Sequence, residues 1–283
     1  MTVAVDGAEL FYTRHGSGPA CLVLSAIGTP PYERQMAPQL LDHLTMVYVD
    51  LRGSGRSTGS VADLTFDRVA EDVDAIRADL GVDRVTVLGH SITGMLALEC
   101  GRRRPERISH VIAVGTPPSG DMAALSARSA AYFEAEAGDD RKQRLRRNLA
   151  ALPREPSMRQ IVAAQTPMRF HDDSVDVEGL FEGAVASPEL LTHIMGTLAR
   201  GWTITADPGS LTVPVLIAHG RSDYTVPRTL WDGIPATFPD ATFHLFEASG
   251  HQPFFEEPER FTAVVTGWMA KCDTAPCVSR PGT

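Results

Sequence analysis

The sequence predicts an α/β protein: a mostly parallel sheet of eight strands with helices on both faces, and a helical block inserted late in the chain. Three observations predict it. Short apolar, β-branched runs alternate with segments whose apolar residues recur at helical spacing, the pattern of a parallel sheet covered on both sides. The alternation lapses between residues 117 and 208, which read as helical and polar, broken by Pro153, Pro156, Pro167, Pro188 and Pro208, and it resumes at Val213-Pro214-Val215-Leu216-Ile217-Ala218. A length of 283 residues is enough for one substantial core carrying such an insertion. The expected division is a core of residues 1–116 and 209–271, a helical cap at 117–208, and a flexible tail at 272–283.

Taken in order, residues 2–5 and 9–13 flank Asp6-Gly7, a hairpin signal, so the chain opens with two antiparallel strands. Residues 21–24 and 46–49 are short and wholly apolar, as buried strands are, and residues 32–44 are expected to form a helix between them, beyond Pro30-Pro31. Phe66, Val69, Ala70, Val73, Ile76, Arg77 and Leu80 keep helical spacing and stop at Gly81. The strand beginning at Val85 ends abruptly at Gly89; a helix from Ile92 to about Arg104, a strand at 108–114, and strands at 213–218 and 241–246 complete the alternation.

Composition limits the function. The chain is 43% apolar and 22% charged, as a soluble globular protein is, and its net charge of −9 argues against a nucleic-acid surface. No apolar stretch approaches the roughly 18 residues of a membrane span. The opening residues lack the basic region and apolar block of a secretion signal, so a cytoplasmic protein, monomeric or homodimeric, is expected. Cys21 and Cys100 lie in apolar runs and read as core residues, whereas Cys272 and Cys277 read as solvent-exposed thiols. The basic residues Arg141, Lys142, Arg144, Arg146 and Arg147 alternate with acids at helical spacing and read as a solvated face.

Chemistry concentrates at Gly89-His90-Ser91-Ile92-Thr93-Gly94. A sharp strand-to-helix turn there lifts the Ser91 hydroxyl above the carboxyl edge of the sheet, and the Ile92 N–H, first in its helix, faces the same point. This stretch resembles the G-x-S-x-G nucleophile elbow of the α/β-hydrolase family, with Thr93 standing at the second glycine and Gly94 after it. A serine needs a base and an orienting carboxylate, which that family supplies in the order serine, acid, histidine, each in a loop after a later strand. Asp223 follows its strand in His219-Gly220-Arg221-Ser222-Asp223. Of the two later histidines, His244 lies within a strand, while His251 follows one in Ser249-Gly250-His251-Gln252-Pro253. Gly-x-x-Asp and Ser-Gly-His-x-Pro are similar to the family's acid and base segments, as Asp50-Leu51-Arg52-Gly53-Ser54-Gly55-Arg56-Ser57 is to its D-x-R-G-x-G-x-S segment. Glycines in that last segment do not make it a dinucleotide loop, because no apolar helix opens directly after Gly59.

The resemblance implies a serine hydrolase acting on an ester, lactone or amide of a small to medium substrate, with Ser91, His251 and Asp223 as triad and no metal or organic cofactor. It also implies a second oxyanion donor in Leu24-Ser25-Ala26-Ile27-Gly28-Thr29, which is Ile27 if that loop aligns without a gap and Thr29 if two residues are inserted. Ser25 is then expected near the pocket, and Tyr132, Phe133, Phe170, Phe181 and Trp202 supply aromatic surface either to an acyl pocket or to the interior of the cap. A proline-iminopeptidase-like reading needs cap carboxylates for a free amino terminus, for which Glu134, Glu136 and Glu182 are available. A ligand receptor that keeps the fold without turnover is the reading from another class.

Overall fold

The computed structural model describes residues 1–177, 179–238 and 240–274. Eight strands form one sheet: β1 (Thr2–Val5), β2 (Ala8–Gly16), β3 (Ala20–Ser25), β4 (Thr45–Asp50), β5 (Val85–His90), β6 (Ile108–Val114), β7 (Val215–Gly220) and β8 (Ala241–Phe246). Their order across the sheet is β1-β2-β4-β3-β5-β6-β7-β8; β1, β2 and β4 pair antiparallel, and from β4 to β8 every pairing is parallel. The strand order reverses between β3 and β5, so a crevice opens at their carboxyl ends, where ligands bind in open α/β sheets.

Side-chain alternation divides the core into two layers. Leu22, Leu24, Val47, Val49, Val87, Val111 and Ile217 face one side, where they meet α2 (Phe66–Asp79) and α3 (Ile92–Arg103). Cys21, Val23, Met46, Leu88, Ile112, Val114 and Leu216 face the other, against α1 (Thr29–Gln35) and the terminal helix, called α10 below (Pro258–Thr274). Burial on both faces is why these strands read as unbroken apolar runs.

Between β6 and β7 lie α4 (Met122–Glu136), α5 (Asp139–Ala150), α6 (Met158–Ala164), α7 (Thr166–Arg169) and α8 (Pro188–His193). Among the described residues there, the only β-pairing is an isolated bridge between Ser119 and Thr203. After β8 come α9 (Pro253–Glu256) and α10. No described helix is long and apolar enough to cross a membrane.

Four expectations need correction. The helix expected at 32–44 is instead α1 followed by a 3-10 turn at Pro38–Asp42. Pro30 and Pro31 fit inside the first turn, where a missing N–H removes no helical hydrogen bond, and Pro38 holds Ala37 out of the helical region at ψ 112°. The expected tail starts too early, because residues 272–274 still belong to α10; residues 275–283, with Cys277, lie outside the described residues. Cys272 is half-buried rather than exposed. Finally, the basic cluster is only partly a solvated face. Arg141 donates to the carbonyls of Pro167 (3.0 Å), Phe170 (2.8 Å) and His171 (2.6 Å), and Arg144 pairs with Asp173 at 3.2 Å, so these two tie α5 to α7 and the segment after it. Lys142 pairs with Glu134 at 3.2 Å, whereas Arg146 and Arg147 are exposed.

Candidate active site

Ser91 joins β5 to α3 with φ 56° and ψ −128°, and no other described non-glycine residue has a positive φ. Such a conformation is strained for a side chain bearing a Cβ and persists only when its surroundings impose it. Here they do. The Ser91 N–H donates to the Val114 carbonyl at 2.8 Å, extending the sheet bonding one residue past β5. α3 then runs so close to the strand ends that a Cβ at Gly94 would fall 1.8 Å from Thr116 Oγ1.

Thr93 fits beside it because its hydroxyl is fully used. It accepts the His90 N–H at 3.0 Å and turns its proton toward the carbonyls of His90 (2.9 Å) and Leu24 (3.1 Å), fastening the elbow to the end of β3. The residue that departs from the family pattern is thus a clamp. Replacing Thr93 by Val strands these buried partners and is expected to lower unfolding free energy by about 1–3 kcal/mol in urea titration, while Thr93→Ser keeps most of it.

The loop after β3 is held by Ser25, which is buried; its Oγ donates to the Gly28 carbonyl at 2.6 Å and accepts the Ile27 N–H at 3.2 Å. Ser25 therefore shapes the loop and does not line the pocket as expected: the strand's pleat turns it inward. The Ile27 side chain borders the cavity beneath the inserted helices, and the Ile27 carbonyl accepts the Val185 N–H at 2.8 Å. Thr29 is buried, with its N–H turned to Asp50 and its hydroxyl accepting from Arg56 at 2.8 Å, so it is directed away from the cavity. The Ile92 N–H, first in α3, has no intrahelical acceptor.

Asp223 and His251 meet under the inserted helices. His251 Nδ1 lies 2.7 Å from Asp223 Oδ2, and both residues are fully buried. The other carboxylate oxygen accepts the N–H groups of Thr225 (3.0 Å) and Val226 (2.8 Å), and His251 Nε2 has no hydrogen-bond partner. An imidazole gripped at one nitrogen and free at the other can take a proton from a group brought to the free side. Burial pushes the Asp223 carboxyl up to about 7, while burial and, second, the nearby Arg169 charge hold His251 well below its ordinary value.

The loop carrying His251 is fixed from two sides. Glu256, which burial raises to about 7, accepts the N–H groups of His171 (2.6 Å), Gly250 (2.8 Å) and Gln252 (3.3 Å). The His251 N–H donates to the Arg169 carbonyl at 2.5 Å, and a Cβ at Gly250 would fall 2.2 Å from that same oxygen, which explains the glycine of Ser-Gly-His. His90 completes the support. Its Nε2 donates to the His251 carbonyl (2.9 Å), leaving Nδ1 to accept from Tyr32 Oη (3.1 Å), and burial first of all keeps this ring neutral.

Ser91 and His251 line one cavity of about 340 Å³, roofed by the inserted helices through Met122, Leu125, Met158, Val162 and Phe181. Among the described residues no Asp or Glu side chain lines it. Glu134, Glu136 and Glu182 are exposed, away from it. Three expected substrate contacts also lie elsewhere. Tyr132 and Phe133 pack against Tyr224, tilted and edge-on, with ring centroids 5.6 and 5.1 Å apart, and Trp202 belongs to the sheet core, where its Nε1 donates to Glu99 at 2.8 Å. Aromatic rings in amphipathic helices serve the helices' own packing first, and here that claims all but Phe181, since Phe170 packs against Phe255. Sequence reasoning did not select Arg169, Tyr32 or His90 as cavity residues. His90 adjoins Ser91 and could have been found; Arg169 is one arginine among many in a polar stretch.

The chain belongs to the α/β hydrolase fold family, whose sequence model matches residues 19–258. It is 28% identical over 274 residues to the AB hydrolase superfamily protein YclE of Bacillus subtilis (strain 168), covering 93% of this chain and 96% of that protein. A thermophilic esterase from Thermogutta terrifontis has a similar structure, with a TM-score of 0.70, 22% identity, and coverage of 96% of this chain and 97% of the other. The proline iminopeptidase of Mycobacterium smegmatis gives a TM-score of 0.70 at 22% identity, covering 96% and 98%. At these identities the two structures establish the shared fold.

Proposed function

We propose that this chain is a serine hydrolase opening an ester or lactone, and with less facility an amide, through an acyl-enzyme. The observation that carries the reading is Ser91, strained at its elbow, lining the same cavity as the free Nε2 of a histidine whose Nδ1 is held by a buried carboxylate. In the first half-reaction Ser91 Oγ bonds to the acyl carbon while its proton passes to His251 Nε2. The Asp223 carboxylate holds the Nδ1–H tautomer and offsets the imidazolium charge. The carbonyl oxygen gathers negative charge facing the Ile92 N–H, a donor worth about 3–4 kcal/mol in the transition state, while the Ile27 N–H is held by Ser25 Oγ at 3.2 Å and joins only if it leaves that bond. His251 returns the proton to the leaving alcohol, and water repeats the sequence to release the acid and restore Ser91. Residues 117–208 act as the cap that keeps bulk water from this chemistry.

An ester or lactone fits better than an amino-terminal peptide, because a free ammonium needs a carboxylate and the cavity wall has none among the described residues. A volume of about 340 Å³ suits a small to medium substrate. The test pairs two measurements. A fluorophosphonate is expected to modify Ser91, located by peptide mass, and 4-nitrophenyl butanoate is expected to be hydrolysed where prolyl 4-nitroanilide is not. A folded sample that resists the fluorophosphonate would refute the activated serine, and preferential cleavage of the anilide would refute the ester assignment.

A further inference from the structure

Arg169 ends α7, and its side chain enters the cavity that Ser91 and His251 line. Its Nε–H donates to Gln165 Oε1 at 3.2 Å, which fixes the plane of the guanidinium, while no described protein atom accepts a hydrogen bond from its two terminal amino groups. Its main chain is held as firmly, through the bond from the His251 N–H to its carbonyl. The cation is therefore rigidly placed, with its two-toothed donor face open.

Asp223 is close enough for its charge to favour the Arg169 cation, but its oxygens are already occupied and it makes no direct ion pair. One Asp223 oxygen is taken by the Thr225 and Val226 amides and the other by His251, and no ion pair joins Asp223 to Arg169. No other carboxylate lines the cavity among the described residues, whose wall is otherwise mainly aliphatic. The half-buried guanidinium thus faces a mainly aliphatic wall with no described protein acceptor for its terminal amino groups, and a ligand that supplies one is favoured there. Its charge also opposes the imidazolium that His251 must become during acyl transfer, adding to the burial that already holds that ring neutral. A bound anion satisfies the amino groups and offsets that charge together.

From this we infer that Arg169 receives a carboxylate of the substrate, so that the site selects esters or lactones of carboxylate-bearing molecules. The planar fork of Arg matches a carboxylate through two parallel N–H···O bonds. The inference rests on the hydrolase reading for its substrate class, although binding of a carboxylate does not require turnover.

Two matched substrate pairs test it, one for each half of the ester. 4-Nitrophenyl hydrogen glutarate against 4-nitrophenyl glutaramate places the charge on the acyl half; 4-carboxyphenyl butanoate against 4-carbamoylphenyl butanoate places it on the alcohol half. The native chain is expected to favour the carboxylate by about tenfold or more in kcat/KM in one pair, as a charge-assisted bond pair supplies. That ratio should fall to near one in Arg169→Met, whatever the variant's absolute rate, and recover in part in Arg169→Lys. Ratios near one for the native chain in both pairs, or a preference that survives in Arg169→Met, would overturn it. Calorimetry of hexanoate and hexanamide with Ser91→Ala separates this failure from failure of the hydrolase reading. Tighter binding of hexanoate supports Arg169 even if no ester is turned over or Arg169→Met does not fold, and equal binding overturns it.

Discussion

Replacing Ser91 by alanine is expected to lower kcat for an acyl ester by roughly 10⁴ to 10⁶, the range seen when a triad nucleophile is removed. The fold should persist, because the turn is imposed by its surroundings: the bond from the Ser91 amide to Val114 and the Thr93 clamp are both kept. Glycine at the same position makes the sharper experiment. At φ 56° and ψ −128° any side chain with a Cβ is strained by about 1–3 kcal/mol, and glycine is not. Ser91→Gly should therefore abolish turnover while melting a few degrees higher than Ser91→Ala, by differential scanning calorimetry. Substantial ester hydrolysis in either variant would remove Ser91 from the reaction.

Asp223→Asn is expected to cost about 10⁴ in kcat while stabilising the protein at neutral and higher pH. The asparagine oxygen can keep the Thr225 and Val226 amides, so its NH2 group faces His251 Nδ1 and forces the proton onto Nε2. The histidine can then no longer accept from Ser91. Stability moves the other way. Burial raises the Asp223 carboxyl from 3.8 to about 7, so the folded state binds a proton that the unfolded chain has already released across that interval. The contribution of a raised group is full below its unfolded value and lost as pH rises through its folded one. The native chain thus weakens relative to Asp223→Asn from pH near 4 up to about 7, and the difference then levels off. Urea midpoints for both proteins across that range will show it. A variant less stable at pH 8 than the native chain would mean that the hydrogen bonds to the carboxylate outweigh its desolvation.

These effects arise where the sequence was most readable. Val85-Thr86-Val87-Leu88-Gly89 ending at Ser91, and His251 and Asp223 following later strands, are local features: an apolar run, a turn residue, a start of helical spacing. Each is legible because its physical cause lies within a few residues. The same holds for the fold. Strands buried on both faces must be apolar throughout, and the helix ending at Gly81 carries its own stop, Gly81 taking φ 70°.

The sequence by itself determined the class of architecture, the sharp turn at Ser91, the placing of Asp223 and His251 in loops after later strands, and the helical insertion between β6 and β7. Only the tertiary structure decided what fills the cavity, because a helical face shows that a residue is buried without showing against what. Tyr132, Phe133 and Trp202 pack into the protein's own interior, Ser25 turns inward to hold its loop, and Arg169 projects into the cavity with an open donor face. Lining is set by contacts between segments distant in the chain, such as the amide of His251 on the carbonyl of Arg169, and pattern within either segment does not encode it.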